Sequence, residues 1–144
     1  MAFLGLFKTR PKEEEEARTF LLRFLNERCF QDKVLAEEKR WENRSSLMMG
    51  AWVIPLIDGE PVLSRAYPTI TKDFTTSGLS IVVDGPPSCA EVIIALPVAV
   101  EAVLLRCKVL HSRLIGAGFL VAGLRVLGLV PGNQYPELSK LALQ

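Results

Sequence analysis

The feature that most constrains this chain is a succession of short apolar runs separated by turn residues. Asp58-Gly59 and the cluster Asp84-Gly85-Pro86-Pro87 interrupt the pattern after Arg44, and both combinations are strong turn signals. The strands predicted between such breaks are Leu47–Ile57, Pro61–Ile70, Leu79–Val83, Glu91–Leu96, Val100–His111 and Ile115–Val126. About five to seven short strands at this spacing predict a small antiparallel β-barrel or sandwich.

The flanks of this β-rich segment have a different character. From Glu13 to about Arg40, apolar residues recur at helical spacing and charges fill the opposite face. A helix here either packs on the domain that follows or pairs with a second copy of the chain. Pro131-Gly132 ends the sheet, and Pro136 to Leu143 predicts a short closing helix. We therefore divide the chain into a tail and amphipathic helix (1–38), a barrel (39–130) and a C-terminal segment (131–144).

Length and charge limit the function classes. A chain of 144 residues supports one domain with a genuine core. Its 17 basic and 16 acidic residues give a net charge of +1, which argues against a general nucleic-acid-binding surface. Three widely spaced cysteines, Cys29, Cys89 and Cys107, show neither zinc spacing nor a disulfide framework. They indicate a reducing compartment, and we expect a cytoplasmic protein.

Two segments raise the question of a membrane. The N-terminal MAFLGLF has an apolar run too short for a secretory signal, although it could serve as a weak interfacial anchor. Leu114 to Val130 is shorter than the roughly 20 residues of a spanning helix and contains Arg125. We therefore predict no membrane span.

Two polar motifs carry the chemistry. Arg40 and Arg44 stand four residues apart in Arg-Trp-Glu-Asn-Arg, just before the first strand. Arginine holds phosphate bidentately and also reads the O6/N7 edge of guanine. Between two strands lies Asp73-Phe74-Thr75-Thr76-Ser77-Gly78, of the form Asp-x-Thr-x-x-Gly. Asp73 can accept the N1–H and N2–H of guanine, Thr75 adds a hydroxyl, and Gly78 permits positive φ or the close approach of a flat ligand.

Each motif also has a purely structural interpretation. Two arginines at this spacing are common on solvated helix faces. Asp-x-Thr is typical of turns in which a side chain bonds backbone amides two residues on. The combination, in this order and at the entry to a barrel, is more specific than either part.

From Lys39 to Val130 the sequence resembles the PilZ domain. The resemblance rests on Arg40-Trp-Glu-Asn-Arg44, on Asp73-Phe-Thr75-Thr-Ser-Gly78 with the following Leu-Ser-Ile-Val-Val, and on Gly118-Phe119 in a last barrel strand. It implies a mainly β fold: a six-stranded antiparallel barrel, here with an N-terminal helical extension and a short C-terminal helix. It also implies binding of cyclic di-GMP, with Arg40 and Arg44 as the cationic clamp and Asp73, Thr75 and Gly78 as the base-reading edge. Thr75 departs from the serine usual in the family, and its methyl group stiffens χ1.

The remaining polar residues suggest no catalysis. The single histidine, His111, has no acid or nucleophile at a recognisable spacing. Arg65, Arg106 and Arg113 either add to a positive pocket or lie on an exposed strand face. We find no metal constellation and expect neither catalytic residues nor a cofactor.

The sequence therefore predicts a non-enzymatic receptor for cyclic di-GMP in bacterial second-messenger signalling, acting on an effector protein. The alternative is an interaction module with the same barrel and a degenerate nucleotide site, with a homodimer through the Glu13–Arg40 helix.

Overall fold

The computed structural model of the protein describes residues 12–28, 45–98 and 101–143. The N-terminal tail and the segment with Arg40 and Arg44 lie outside these residues. The elements in chain order are α1 (Lys12–Arg28), β1 (Ser45–Ser46), β2 (Gly50–Ile57), β3 (Glu60–Pro61), β4 (Tyr67–Phe74), β5 (Gly78–Val83), β6 (Glu91–Leu96), β7 (Val103–Gly116), β8 (Phe119–Val130) and α2 (Pro136–Ser139), with 3₁₀ turns at Leu63–Arg65 and Lys140–Leu143.

Six of these strands close into an antiparallel barrel. The ring runs β2, β4, β5, β8, β7, β6 and returns to β2, because β2 pairs with both β4 and β6. The two-residue strands β1 and β3 extend the rim on β4 and β2. Closure leaves the main ring without an unpaired edge strand. The predicted fold class is confirmed: a six-stranded antiparallel barrel with an N-terminal helix and a short C-terminal helix.

Residues with positive φ form two hairpin turns, and the position of the second turn differs from two predicted strand boundaries. Asp58 and Gly59 both have positive φ and join β2 to β3, as the Asp-Gly signal predicts. Gly116, Ala117 and Gly118 also have positive φ and form the turn between β7 and β8. The predictions that a strand begins at Ile115 and that Gly118 lies inside the last strand were therefore wrong. Strand β7 runs on to Gly116, and β8 begins at Phe119.

The predicted run Pro61–Ile70 is also not one strand. Its first part divides into β3 and the 3₁₀ turn Leu63–Arg65, and the long strand β4 starts only at Tyr67. The amide of Val62 donates to the carbonyl of Pro55 and extends the β2–β3 pairing, and the amides of Arg65 and Ala66 then donate to the carbonyls of Val62 and Leu63, which turns the chain before β4 begins. The predicted start at Leu47 was early as well, since β2 begins at Gly50.

Alternation along the strands produces two apolar layers. Inward-facing side chains fill the barrel; they include Val53, Ile81, Ile94, Leu105 and Cys107. Burial raises the pKa of the Cys107 thiol, which is fully enclosed. The outward-facing side chains of β2, β6 and β7, among them Ile54, Ile93 and Leu104, pack under Leu138 and Leu141 of the C-terminal segment. That segment therefore covers a face of the barrel that period-two alternation would otherwise leave apolar and exposed.

Helix α1 packs against its own barrel. Ala17, Leu21, Phe24 and Leu25 are buried in the same cluster as the inward-facing strand residues. The ring of Phe24 stacks on Phe20 and meets Phe74 edge to face, with centroids 5.5 Å apart in both pairs. Gly128 of β8 lets the helix come close, because a Cβ there would lie 2.8 Å from the Cβ of Glu13. In the described part of the predicted Glu13–Arg40 helix, the apolar face thus packs against the barrel of the same chain.

No helix in the described part of the chain has the length and apolar character needed to cross a membrane.

Candidate functional site

A groove of about 420 Å³ lies on the outer face of the barrel, where β5, β8 and β7 run side by side. Its volume is within the range of roughly 300–1,000 Å³ typical of small-molecule sites. Its polar and charged lining comes from the strands and from the β4–β5 turn: Asp73, Thr75, Ser77, Ser80, His111, Arg113 and Arg125. The three named positions of the predicted Asp-x-Thr-x-x-Gly motif, Asp73, Thr75 and Gly78, therefore all line the groove.

Strand register explains why these residues meet. Asp73 of β4 lies opposite Ser80 of β5, Ser80 opposite Gly123 of β8, and Gly123 opposite His111 of β7. Neighbouring strands are about 4.8 Å apart, so this row spans about 14 Å from Asp73 to His111. Its two central residues carry the smallest side chains. The row therefore forms a low floor between two larger polar ends.

A bulge in β4 turns Asp73 outward. The register between β4 and β5 shifts between Thr71 and Asp73. Thr71 and Phe74 are both buried, which strict alternation over three positions would not allow. The extra residue puts Asp73 on the outer face, and its amide donates to the Ser80 hydroxyl at 3.2 Å instead of to a ladder carbonyl. The Asp73 carboxylate is one-fifth exposed and lies 3.3 Å from the ammonium of Lys72.

The β4–β5 turn satisfies much of its own hydrogen bonding. The Ser77 amide donates to the Thr75 hydroxyl at 3.1 Å, and the Thr75 amide donates to the Gly78 carbonyl at 2.9 Å. The Thr75 hydroxyl is 3.5 Å from that same carbonyl, a long contact for its own proton. The motif therefore has the structural role of a turn. The side chain that accepts a backbone amide of this turn is that of Thr75 and not that of Asp73.

Gly78 is needed for a close approach within the barrel. Its φ is outside the left-handed region, and a Cβ there would overlap the carbonyl oxygen of Leu124 in β8. The glycine thus lets β8 close on the start of β5, and the neighbour it accommodates is backbone.

His111 covers the glycine in the middle of the floor. A Cβ on Gly123 would be 2.8 Å from Cε1 and Nε2 of the His111 ring. The imidazole therefore lies over bare backbone and presents an exposed flat surface inside the groove. A strand glycine that admits a ring in this way marks a close approach.

Two guanidinium groups supply positive charge to the groove. Arg113 lies two residues beyond His111 on β7, and Arg125 two residues beyond Gly123 on β8. Arg125 Nη2 donates to Glu14 Oε2 of helix α1 at 2.9 Å. In the described part of the chain, no carboxylate pairs with Arg113.

The structure brings together three of the five predicted site residues: Asp73, Thr75 and Gly78 all line the groove. Arg40 and Arg44 lie outside the described residues. Of the additional arginines, Arg113 joins the groove, Arg106 is paired with Glu91 at 3.0 Å, and Arg65 lies on the 3₁₀ turn that precedes β4.

Sequence reasoning missed Arg125 and set His111 aside. Neither belongs to a motif. They reach the groove because β5 pairs with β8 and β8 pairs with β7. A signal for the histidine was present in Gly123, an isolated glycine within a strand. Among the residues that the structure describes, no group of three or more histidine, cysteine, aspartate or glutamate side chains could hold a metal ion.

Comparison with known proteins adds little to this description. No protein-family model matches the sequence, and no curated protein matches it either. Among solved structures, the chain is similar to that of the Bacillus subtilis inhibitor of motility, MotI/DgrA, with 15% identity and a TM-score of 0.46. The match covers 73% of this chain and 50% of that one, so the chain spans about half the length of that structure.

Proposed function

We propose that the protein is a non-enzymatic receptor for cyclic di-GMP, which binds in the groove over β5, β8 and β7. One observation carries the proposal: the Asp73–Gly78 segment, two guanidinium groups and a flat imidazole line one groove of suitable volume. This set provides an acceptor for a guanine edge, cations for phosphate and a stacking surface for a purine.

The carboxylate of Asp73 is suited to read guanine. Its outward position and partial exposure leave room for the N1–H and N2–H donors of a base. The neighbouring Lys72 does not block this role, because its ammonium is exposed and 3.3 Å away. Surface pairs of this kind contribute about 0–1 kcal/mol, so a ligand can replace the contact at little cost.

Strand β1, which follows the arginine motif in the sequence, pairs with the part of β4 that carries Asp73. Ser45 pairs with Phe74 and Ser46 with Asp73, so the chain that follows Arg44 runs beside the strand that carries the base-reading carboxylate. We propose that Arg44, with Arg40, grips the phosphates and guanine edges opposite Asp73.

Internal hydrogen bonds brace the β4–β5 turn, which favours affinity. The bonds donated by the amides of Ser77 and Thr75 restrict the conformations that the turn can adopt. A ligand then meets a preorganised edge and does not have to order it, which lowers the entropy lost on binding.

The test is titration calorimetry with cyclic di-GMP. We expect Arg44→Ala to abolish binding and Asp73→Asn to weaken it by about 10- to 100-fold, the size of one lost base-reading contact. Asp58→Asn is the matched control, since Asp58 is an exposed turn aspartate with φ 53° at the far end of β2, where asparagine fits equally well. Full affinity in Arg44→Ala would contradict the proposed arrangement.

The second candidate is a protein-interaction module with the same barrel and an empty groove. The internal bonds of Thr75 and Ser77 favour it, because they give the motif a purely structural role. A flat calorimetric titration together with a dimer in light scattering would select this candidate.

We place the receptor in the cytoplasm, acting on an effector protein. The described cysteines support a reducing compartment, since Cys89 and Cys107 are both free thiols.

A further inference from the structure

We propose that Arg125 is an anion-binding residue of the groove and that helix α1, through Glu14, competes with the ligand's phosphate for its guanidinium. The inference rests on the proposed function and adds its regulation. Arg125 belongs to neither sequence motif, and α1 lies outside the part of the chain that resembles the PilZ domain.

The contact between Glu14 and Arg125 is unequal. The Glu14 side chain is only 11% exposed, whereas that of Arg125 is 53% exposed and lines the groove. The guanidinium has five N–H donors, and the bond to Glu14 uses one Nη2 hydrogen at 2.9 Å. Arg125 can therefore face a ligand, but Glu14 has been taken from water and depends on this partner.

A second contact of α1 reaches the β4–β5 turn, which lies beside Arg125 because Gly78 pairs with Arg125. Arg18, one turn after Glu14, donates from Nη1 to the Thr76 hydroxyl at 2.9 Å. Thr76 lies in the β4–β5 turn between Thr75 and Ser77. The seam between the helix and this turn is nearly closed, with a cleft of about 10 Å³. Helix α1 therefore holds both the motif turn and the β8 cation of the site.

Charge determines the direction of the coupling. A phosphodiester and the Glu14 carboxylate are both anions that seek the same cation, so each weakens the binding of the other. If a phosphate binds Arg125, it shares the positive charge and draws the guanidinium toward itself, so the buried Glu14 is less well compensated and the first turn of α1 is destabilised. Such coupling is reciprocal: ligand binding loosens α1, and loosening α1 strengthens ligand binding. The small ligand is thereby linked to a helix that can act on another molecule.

The first experiment compares cyclic di-GMP affinities by calorimetry. Glu14→Gln keeps the shape and an oxygen acceptor for Arg125 but removes the charge. We expect about five- to twentyfold tighter binding, less at high salt. Arg125→Gln should weaken binding by about tenfold or more. Glu16→Gln, an exposed position on the same helix, and Arg65→Gln, an exposed arginine away from the groove, are the matched controls and should leave affinity within twofold.

The second experiment measures hydrogen exchange in α1. Cyclic di-GMP should speed exchange at the amides of the first turns of α1 in the natural protein. Glu14→Gln should show fast exchange there before the ligand is added. A merely structural contact would not make exchange depend on the ligand.

The outcomes separate the two proposals. If the natural protein binds but Glu14→Gln binds equally or more weakly, the competition is wrong and the proposed function stands. If Arg125→Gln keeps full affinity, Arg125 is not part of the site. If neither the natural protein nor Glu14→Gln binds cyclic di-GMP, the proposed function fails and this inference falls with it.

Discussion

At the scale of the residue, two strand glycines that look alike in the sequence have different physical roles. A side chain at Gly78 would meet the backbone carbonyl of Leu124, which the β5–β8 ladder holds in place. A side chain at Gly123 would meet the ring of His111, the free end of a side chain that can rotate away. The same added methyl group should therefore affect stability at one site and groove shape at the other.

We predict that Gly78→Ala destabilises the fold by about 1–3 kcal/mol, the usual cost of overpacking against rigid neighbours. Gly123→Ala should cost about 1 kcal/mol or less but displace His111 and weaken the binding of cyclic di-GMP. Chemical denaturation gives the free energy of unfolding, and calorimetry gives the affinity.

Gly50→Ala is the control for both, because no atom lies within 4 Å of a Cβ at this strand position. It should leave stability unchanged or slightly raised. An equal loss of stability in all three variants would contradict the distinction.

At the scale of the element, helix α1 depends on a narrow apolar stripe. Leu21 is completely buried against the barrel cluster, while the next residue, Leu22, is 42% exposed. The helix therefore offers a matched pair of leucines on adjacent positions. Their burial differs because successive helical residues are rotated by about 100°.

We predict that Leu21→Ala costs about 2–5 kcal/mol, from lost burial and the cavity left behind. Leu22→Ala should cost about 0.5 kcal/mol or less, because the substitution removes little buried surface and alanine is the better helix former. Thermal and denaturant unfolding of the two variants test this difference.

If Leu22→Ala were the more damaging change, α1 would bury its opposite face, as a helix that pairs with another chain would. Light scattering of that variant would then identify the lost oligomer.

At the scale of the whole molecule, the barrel interior excludes charge. Cys107 is enclosed in it, and burial raises the pKa of its thiol well above the ordinary 9.0. Burial, and after it the charges of Cys89 and Asp84, raise the pKa of Tyr67 above 10.0. Both groups ionise more readily in the unfolded chain than in the folded one, so each should lower stability at alkaline pH.

We predict that the free energy of unfolding is insensitive to the Cys107 thiol below pH 9 and falls above it. The folded pKa is raised, so the unfolded thiol releases its proton first. One unit above the ordinary 9.0, the loss attributable to Cys107 is about 1.4 kcal/mol. Tyr67 adds to the loss above pH 10. Denaturant unfolding at pH 7, 9 and 10 measures this loss of stability.

Cys107→Ala has a lower stability at every pH because of the lost volume, but its loss of stability between pH 9 and 10 should be smaller than that of the natural protein by about 1 kcal/mol. An identical slope would show that the thiol ionises equally well in both states.

The sequence by itself determined the alternation of strands and turns, the start of α1 and the short C-terminal helix. Each of these depends on neighbours within a few residues, such as the Asp58-Gly59 turn. It also pointed to Asp73, Thr75 and Gly78, which stand in one local segment, and to Arg40 and Arg44, whose role stays a prediction.

Only the tertiary structure decided which residues face those of the motif. A bulge in β4 turned Asp73 outward, and the pairing of β5 with β8 and of β8 with β7 brought Arg125 and His111 to the same groove. The contact of Glu14 with Arg125 joins residues 111 positions apart. Such contacts between residues distant in the sequence depend on strand register and helix docking. The closure of the whole barrel fixes both, and no local pattern encodes them.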